Sequence, residues 1–316
     1  MKKLFTFALL ACISMFASAQ PWNEGEEITD QVDWSNLSFT NETISPWVWT
    51  GQNGSTTQTG GTFELYNGWD AELYQVIYLP AGMYEVTCQG YYRGGTSWDD
   101  DPNTWAGTGA NSWEDRAWLI ASTGEYDLES AVFTEGKTFK TPLMPRLFEE
   151  QYTQIYAADS ATTAQMGWDP SDGNYAQCGN KWGPTSVPGS LLWFQAGLYQ
   201  PYNDGDGTKY NTTTFFLKEA GYVKLGIKKG EAHADDSFMA TNFKLYYQGE
   251  PDEVVLAVEE LDVEIGNALN LTDKIRDAGF GSLAAFLDDI TMKRPSPYSP
   301  PNTLSLQYNT TPPIIL

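Results

Sequence analysis

Apolar and polar positions alternate along much of the chain, and they do so with two different periods. Between Leu73 and Arg93, Tyr84, Val86 and Cys88 alternate with Glu85, Thr87 and Gln89, the period of a half-buried strand. Leu73 to Leu79 precedes it, and Pro80 and Gly82 punctuate the joint, which predicts an antiparallel hairpin. Thr212 to Gly230 repeats the design, with Glu219-Ala220-Gly221 as its turn. Phe238 to Gly249 reads as a further strand, and Gly61 to Tyr66 and Arg116 to Ala121 as two more. From about Tyr126 to Gly189 the pattern is irregular and predicts no element.

After Gly249 the period changes. Val254, Val258, Leu261, Ile265 and Leu269 recur at three- and four-residue intervals, the spacing of one helix face. Leu283, Phe286, Leu287 and Ile290 do the same, with Ser282 placed to cap that helix. Two helices bury too little area to stand alone, so 251–294 is expected to be a docked helical segment or part of a bundle. Prolines and polar residues dominate from Pro295, and 295–316 reads as a disordered tail.

The first residues have the layout of an export signal. Lys2 and Lys3 precede an apolar run from Leu4 to Phe16, and Ala17-Ser18-Ala19 is a small-x-small cleavage site. Residues 1–19 are therefore expected to be removed, leaving a mature chain from Gln20 that is secreted or held at the cell surface. A lipid anchor at Cys12 is the weaker alternative, because the apolar run continues past that cysteine. No later segment is long and apolar enough to cross a membrane.

Composition narrows the function. The formal charge is −23, and losing the two signal lysines takes it to −25. Such a surface repels phosphate backbones, so nucleic acid is not an expected partner. Two cysteines remain after cleavage, Cys88 and Cys178, as a bridge or as two buried thiols; Cys88 alternates with Val86 and points inward. Aromatic residues make up 14% of the chain, and with the turn signals they suit an all-β sandwich in 20–250.

The segments "ELYQVIYLPAGMYEVTCQGYYR", "TPLMPRLFEE", "SVPGSLLWFQAGLYQ", "VKLGIKKG" and "TNFKLYYQGE" occur in this order. Together they resemble the jelly-roll domain of many exported Bacteroidetes proteins, which is similar to galactose-binding-like carbohydrate-binding modules. The resemblance spans about 28–249. It implies an antiparallel jelly-roll β-sandwich with a short C-terminal helical segment, and a glycan as partner. That family often has Asp-Asn-Phe in its last strand, where this chain has Thr241-Asn242-Phe243.

Candidate chemistry is sparse. No catalytic set, metal site or cofactor is expected. Glu260-Leu261-Asp262-Val263-Glu264 matches a glycoside-hydrolase signature, in which strand geometry lines up the carboxylates on one face. The helical spacing around it would scatter the three, so a hydrolase using Glu260 and Glu264 is the alternative reading. His233, the one histidine, lies in a polar loop, and Asn203 to Tyr210 lacks the oxygens of a calcium loop. The candidate binding residues are Trp98, Trp105 and Trp113, with Asp99 and Asp101 beside them, and Tyr199 and Tyr202. Rings stack on sugar faces while carboxylates and amides bond their hydroxyls. The two hairpins are expected to bring loops 66–72, 94–115, 200–210 and 229–237 to one end. A non-catalytic glycan-binding module follows, with a structural or adhesive protein-binding module as a further alternative.

Overall fold

The computed structural model describes residues 22–40, 43–52, 55–59, 61–66, 68–93, 116–146, 175–178, 181–184, 186–203, 209–230 and 236–251, and scattered positions between 254 and 274. Contacts divide the chain into two units, Met1–Pro251 and Asp252–Leu316.

The first unit is an all-β sandwich. Its strands are β1 (Glu26–Glu27), β2 (Val48–Gln52), β3 (Ser55–Thr59), β4 (Thr62–Tyr66), β5 (Trp69–Leu79), β6 (Gly82–Arg93), β7 (Ala117–Asp127) and β8 (Val132–Pro142). There follow β9 (Met144–Pro145), β10 (Tyr175–Cys178), β11 (Lys181–Pro184), β12 (Tyr202–Asn203), β13 (Lys209–Tyr210), β14 (Thr212–Leu217), β15 (Gly221–Lys229) and β16 (Ser237–Tyr247). One sheet has the order β14-β6-β16-β4-β3, with β1 on β16 and β9 on β6; the other has the order β2-β5-β15-β7-β8. The helix α1 (Val187–Gln195) starts at a Ser186 cap whose hydroxyl accepts the Gly189 N–H.

Neither expected hairpin forms. β5 and β6 lie in different sheets, and so do β14 and β15. A two-residue hairpin turn needs positive φ at its first position, and Pro80 is locked near −65°. The Pro80-Ala81 joint therefore carries the chain across the sandwich instead of back along the same sheet. Gly82, at φ 150°, opens β6, and a Cβ there would lie 2.6 Å from the Tyr247 ring. The second crossing stands beside the first, because Gly221 pairs with Leu79 and Leu217 with Gly82.

The alternation read in β6 holds: Tyr84, Val86 and Cys88 face the core while Glu85, Thr87 and Gln89 face out. Trp34, Phe39, Trp47, Phe63 and Phe243 fill the space between the sheets, with the Trp47 and Phe243 rings 4.7 Å apart. Strands expected at 61–66, 116–121 and 238–249 are present as β4, β7 and β16. The stretch from Tyr126 to Gly189 is more regular than its pattern shows, since it holds β8 to β11 and the start of α1. The second unit is helical at 254–257, 261, 264–265, 269–271 and 273–274, with Val254, Leu261 and Leu269 exposed. The signal segment 1–19, the helix expected around 283–290 and the tail 295–316 lie outside the described residues.

Opposite the crossings, a buried ion pair joins the sheets. Lys229 ends β15 and Asp236 precedes β16; their side chains are 0% and 1% exposed and 2.8 Å apart. Tyr92 donates a 2.8 Å bond to Asp236, and Lys229 also donates to the Gly68 carbonyl. Burial pushes the Lys229 ammonium below its usual pKa, against the pull of Asp236. Removing one partner leaves an unpaired buried charge, so Asp236→Ala should cost about 3–5 kcal/mol of stability. Thermal melts of the full chain check this, and Lys229→Met paired with Asp236→Leu should melt higher than either single change.

Candidate functional site

Among the described residues, the outward face of the five-stranded sheet carries a group of exposed and half-buried aromatic rings. On β5, Glu72, Tyr74, Val76 and Tyr78 point out while Ala71, Leu73, Ile77 and Leu79 are buried. On β15, Tyr222 stands opposite Tyr78, Lys224 opposite Val76 and Lys228 opposite Glu72. β7 adds Trp118 beside Lys228, and farther along Tyr126 pairs with Phe133 of β8. Tyr78 is 56% exposed, an unusual exposure for a large ring on a central face. Its ring lies 5.1 Å from that of Tyr222, which lies 5.3 Å from that of Tyr126, each pair at a steep angle. A cleft of about 320 Å³ opens beside them, lined by Tyr74, Tyr126, Phe133, Pro46, Val48 and Asp33. Gln75 fixes one wall by donating to the Ser35 carbonyl at 2.8 Å.

Charge on this face is internally balanced. Lys224, 4% exposed, bonds Glu72 at 2.7 Å and also Glu135. Its ammonium sits 5.0 Å from the Tyr74 ring centre and 5.8 Å from that of Phe133. Lys228 takes the other Glu72 oxygen at 2.8 Å, and Lys140 lies 4.0 Å over the Trp118 ring. Burial alone would raise the Glu72 carboxyl, but the bonds and charges of Lys224 and Lys228 outweigh it and hold the pKa below 4.5. The Glu72 bond raises Lys228 above its usual value. Among the described residues, each lysine of this face is already engaged by a carboxylate or a ring, whereas a neutral ligand meets rings, carboxylate oxygens and hydroxyls.

The residues expected to bind lie elsewhere. Trp98, Asp99, Asp101, Trp105 and Trp113 are outside the described residues. Tyr199 is a correction: it is fully buried, stacks on Trp193 at 5.8 Å and donates 2.7 Å to the Arg146 carbonyl, so its ring offers no surface to a ligand. Tyr202 is half-buried with its ring stacked on Tyr210 at 6.3 Å. Of the four loops expected to meet, 94–115 lies outside the described residues. Gly68, Arg116, Lys229 and Asp236 do come together at one end: Lys229 bonds Gly68 and Asp236, and the Gly230 N–H donates to the Arg116 carbonyl. β14 starts opposite Thr87, midway along β6, and residues 204–208 lie outside the described residues.

Among the described residues, no group of three His, Cys, Asp or Glu side chains could hold a metal ion. His233 lies outside them. Cys88 is a free, buried thiol whose pKa burial pushes up, so the bridge considered for it is absent. Glu264 sits exposed on a helix, as its spacing predicted, and Glu260 is outside the described residues.

The tyrosine face was hard to read from sequence because both parities of β5 are largely apolar. Leu73, Ile77 and Leu79 go inward and Tyr74, Val76 and Tyr78 outward, and periodicity alone does not say which set is buried.

No protein-family model matches the chain. No curated protein matches it either. Among solved structures it is similar to the CBM22-1 xylan-binding domain of Paenibacillus barcinonensis Xyn10C, at 8% identity and TM-score 0.31, over 73% of this chain and 99% of that one. It is also similar to the family 11 carbohydrate-binding module of Clostridium thermocellum in complex with a β-1,3-1,4-mixed-linked tetrasaccharide, at 14% identity and TM-score 0.23, over 67% and 95%. Likeness at these scores carries no functional argument, and the reading rests on the residues.

Because Glu72 has a depressed folded-state pKa, its stabilising contribution is complete above the unfolded value and is lost as pH falls through the folded one. The wild-type chain should therefore lose stability below about pH 4.5. In Glu72→Gln that loss should be smaller, as melts across an acid pH series would show.

Proposed function

We propose that the protein binds a neutral glycan chain, without hydrolysing it, on the outward face of the five-stranded sheet. The observation that carries this reading is the group Tyr74, Tyr78, Tyr126 and Tyr222 on one face, with a cleft beside Tyr74 and Tyr126 and with Lys224 and Lys228 paired to carboxylates. Rings supply apolar surface for the C–H faces of sugars, and Glu72, Glu135, Asp33 and the tyrosine hydroxyls supply bonds to sugar hydroxyls. Turnover would need a carboxyl held protonated as an acid and a second carboxylate free to attack or to activate water. Glu72 is held ionised and Glu135 is engaged by Lys224, which suits binding alone. With an export signal at 1–19, such a module would work outside the cell or on its surface, as in the exported Bacteroidetes proteins that the sequence resembles.

A glycan array probed with the full chain tests the proposal. A neutral polysaccharide should be retained and no reducing sugar released. Tyr78→Ala and Tyr222→Ala should each weaken that binding by about 1–2 kcal/mol, near tenfold, as loss of a stacked ring does. Melting temperature should move little for Tyr78→Ala, because the ring is mostly in solvent. Retention unaffected by either change, or no glycan retained at all, would refute the assignment.

A further inference from the structure

The cleft beside the tyrosines is mainly apolar. Pro46, Val48, Tyr74, Val76, Tyr126 and Phe133 make most of its wall. Of its polar side chains, Gln75 spends both ends of its amide on the Ser35 backbone, donating to the carbonyl at 2.8 Å and accepting from the N–H at 3.5 Å. The exposed Asp33 puts a carboxylate at the edge. On the same face Val48 and Tyr78 stand 44% and 56% exposed. A contiguous apolar surface of this kind is where a soluble protein meets a partner.

Ring spacing narrows the partner. Steps of 5.1 and 5.3 Å lead from Tyr78 through Tyr222 to Tyr126, with the ring planes at 71° and 58°, so the rings stand as ridges with slots between them. Two such steps come to about one turn of a polyproline II helix, three residues at about 3.1 Å each. Such a helix suits a groove lined with aromatic rings. Its shape is preformed, its prolines bring no N–H to be stranded in an apolar slot, and their C–H faces pack on the rings.

The chain carries a sequence of this kind, in a segment outside the described residues. Arg294-Pro295-Ser296-Pro297-Tyr298-Ser299-Pro300-Pro301 is patterned with period three. At three residues per turn one edge reads Arg294, Pro297, Pro300, the next Pro295, Tyr298, Pro301, and the third Ser296 and Ser299. Two neighbouring edges are therefore rich in proline and the third is polar, which is the pattern of a polyproline strand with one side covered. Lys293 and Arg294 bring positive charge to one end, opposite in sign to Asp33.

We propose that the tyrosine face of one copy docks residues 293–301 of a second copy as an extended polyproline strand, with prolines between the rings and Arg294 toward Asp33. The contact joins a face to a segment, so it is heterologous and links copies into open chains or rings. It uses the rings of the glycan face but not the glycan, so it holds or fails apart from that reading. Where both hold, segment and glycan exclude each other.

Light scattering from the full chain over a rising concentration series tests the docking. Mean mass should climb with concentration, and an excess of a synthetic peptide spanning 293–301 should return it to that of one chain. The same peptide with Pro297→Ala and Pro300→Ala should not. In the full chain those two changes together should abolish association and leave the melting temperature of the sandwich in place, since both positions lie outside the first unit. Tyr78→Ala should weaken association about tenfold, the worth of one ring contact. A monomeric mass at every concentration, association that survives the proline changes, association that the peptide does not compete with, or association indifferent to Tyr78→Ala would each overturn it.

Discussion

A proline at the start of a two-residue turn decides the architecture. Pro80 cannot take the positive φ of a tight hairpin, so β5 and β6 separate into opposite sheets. The chain makes the same move at 218–220, where Lys218-Glu219-Ala220 holds no glycine or asparagine before Gly221. Each sheet then recruits strands from distant sequence: β5 pairs with β15, and β6 pairs with β14 and β16. Two outward faces result, one on each side of a shared aromatic core. Everything attributed to function follows from which residues the crossings leave outward.

The end away from the crossings is held differently. Lys229 belongs to one sheet, Asp236 and Tyr92 to the other, and Gly68 to the segment between β4 and β5. A buried ion pair seldom adds much net stability, yet it penalises any arrangement that leaves one charge alone. Here it fixes the spacing of the sheets where strand pairing cannot. The crossings set the order of strands, and the ion pair sets how the far ends meet.

Much of this was legible in the chain. The alternation of Tyr84, Val86 and Cys88 located a strand and its inward face, and the recurrence of Val254, Leu261 and Ile265 located helix. The sandwich class followed from aromatic content and turn signals. The pairing did not follow, although its cause was visible: Pro80 was read as punctuation when its φ also forbids the hairpin. The tyrosine face was hidden because β5 is apolar on both parities. Tyr199 looked like a loop ring, but the backbone turns at positive φ there and folds it beneath α1, where it packs on Trp193. Asn211 likewise spends its side chain on the Gly90 and Tyr199 carbonyls, pairings between residues far apart in sequence that no local pattern encodes.

The outward face of the five-stranded sheet sets tyrosine rings beside lysines that are already paired, the arrangement on which the proposed glycan binding rests. The central proposal is that the outward tyrosines of the five-stranded sheet hold a glycan. Tyrosine-selective ring labelling, followed by NMR during titration with the retained glycan, tests it most directly. The account predicts that signals of Tyr74, Tyr78, Tyr126 and Tyr222 move together and saturate, while those of the core residues Tyr84, Tyr91, Tyr92 and Tyr199 stay fixed. Saturable binding that leaves all four surface tyrosines unmoved would contradict it.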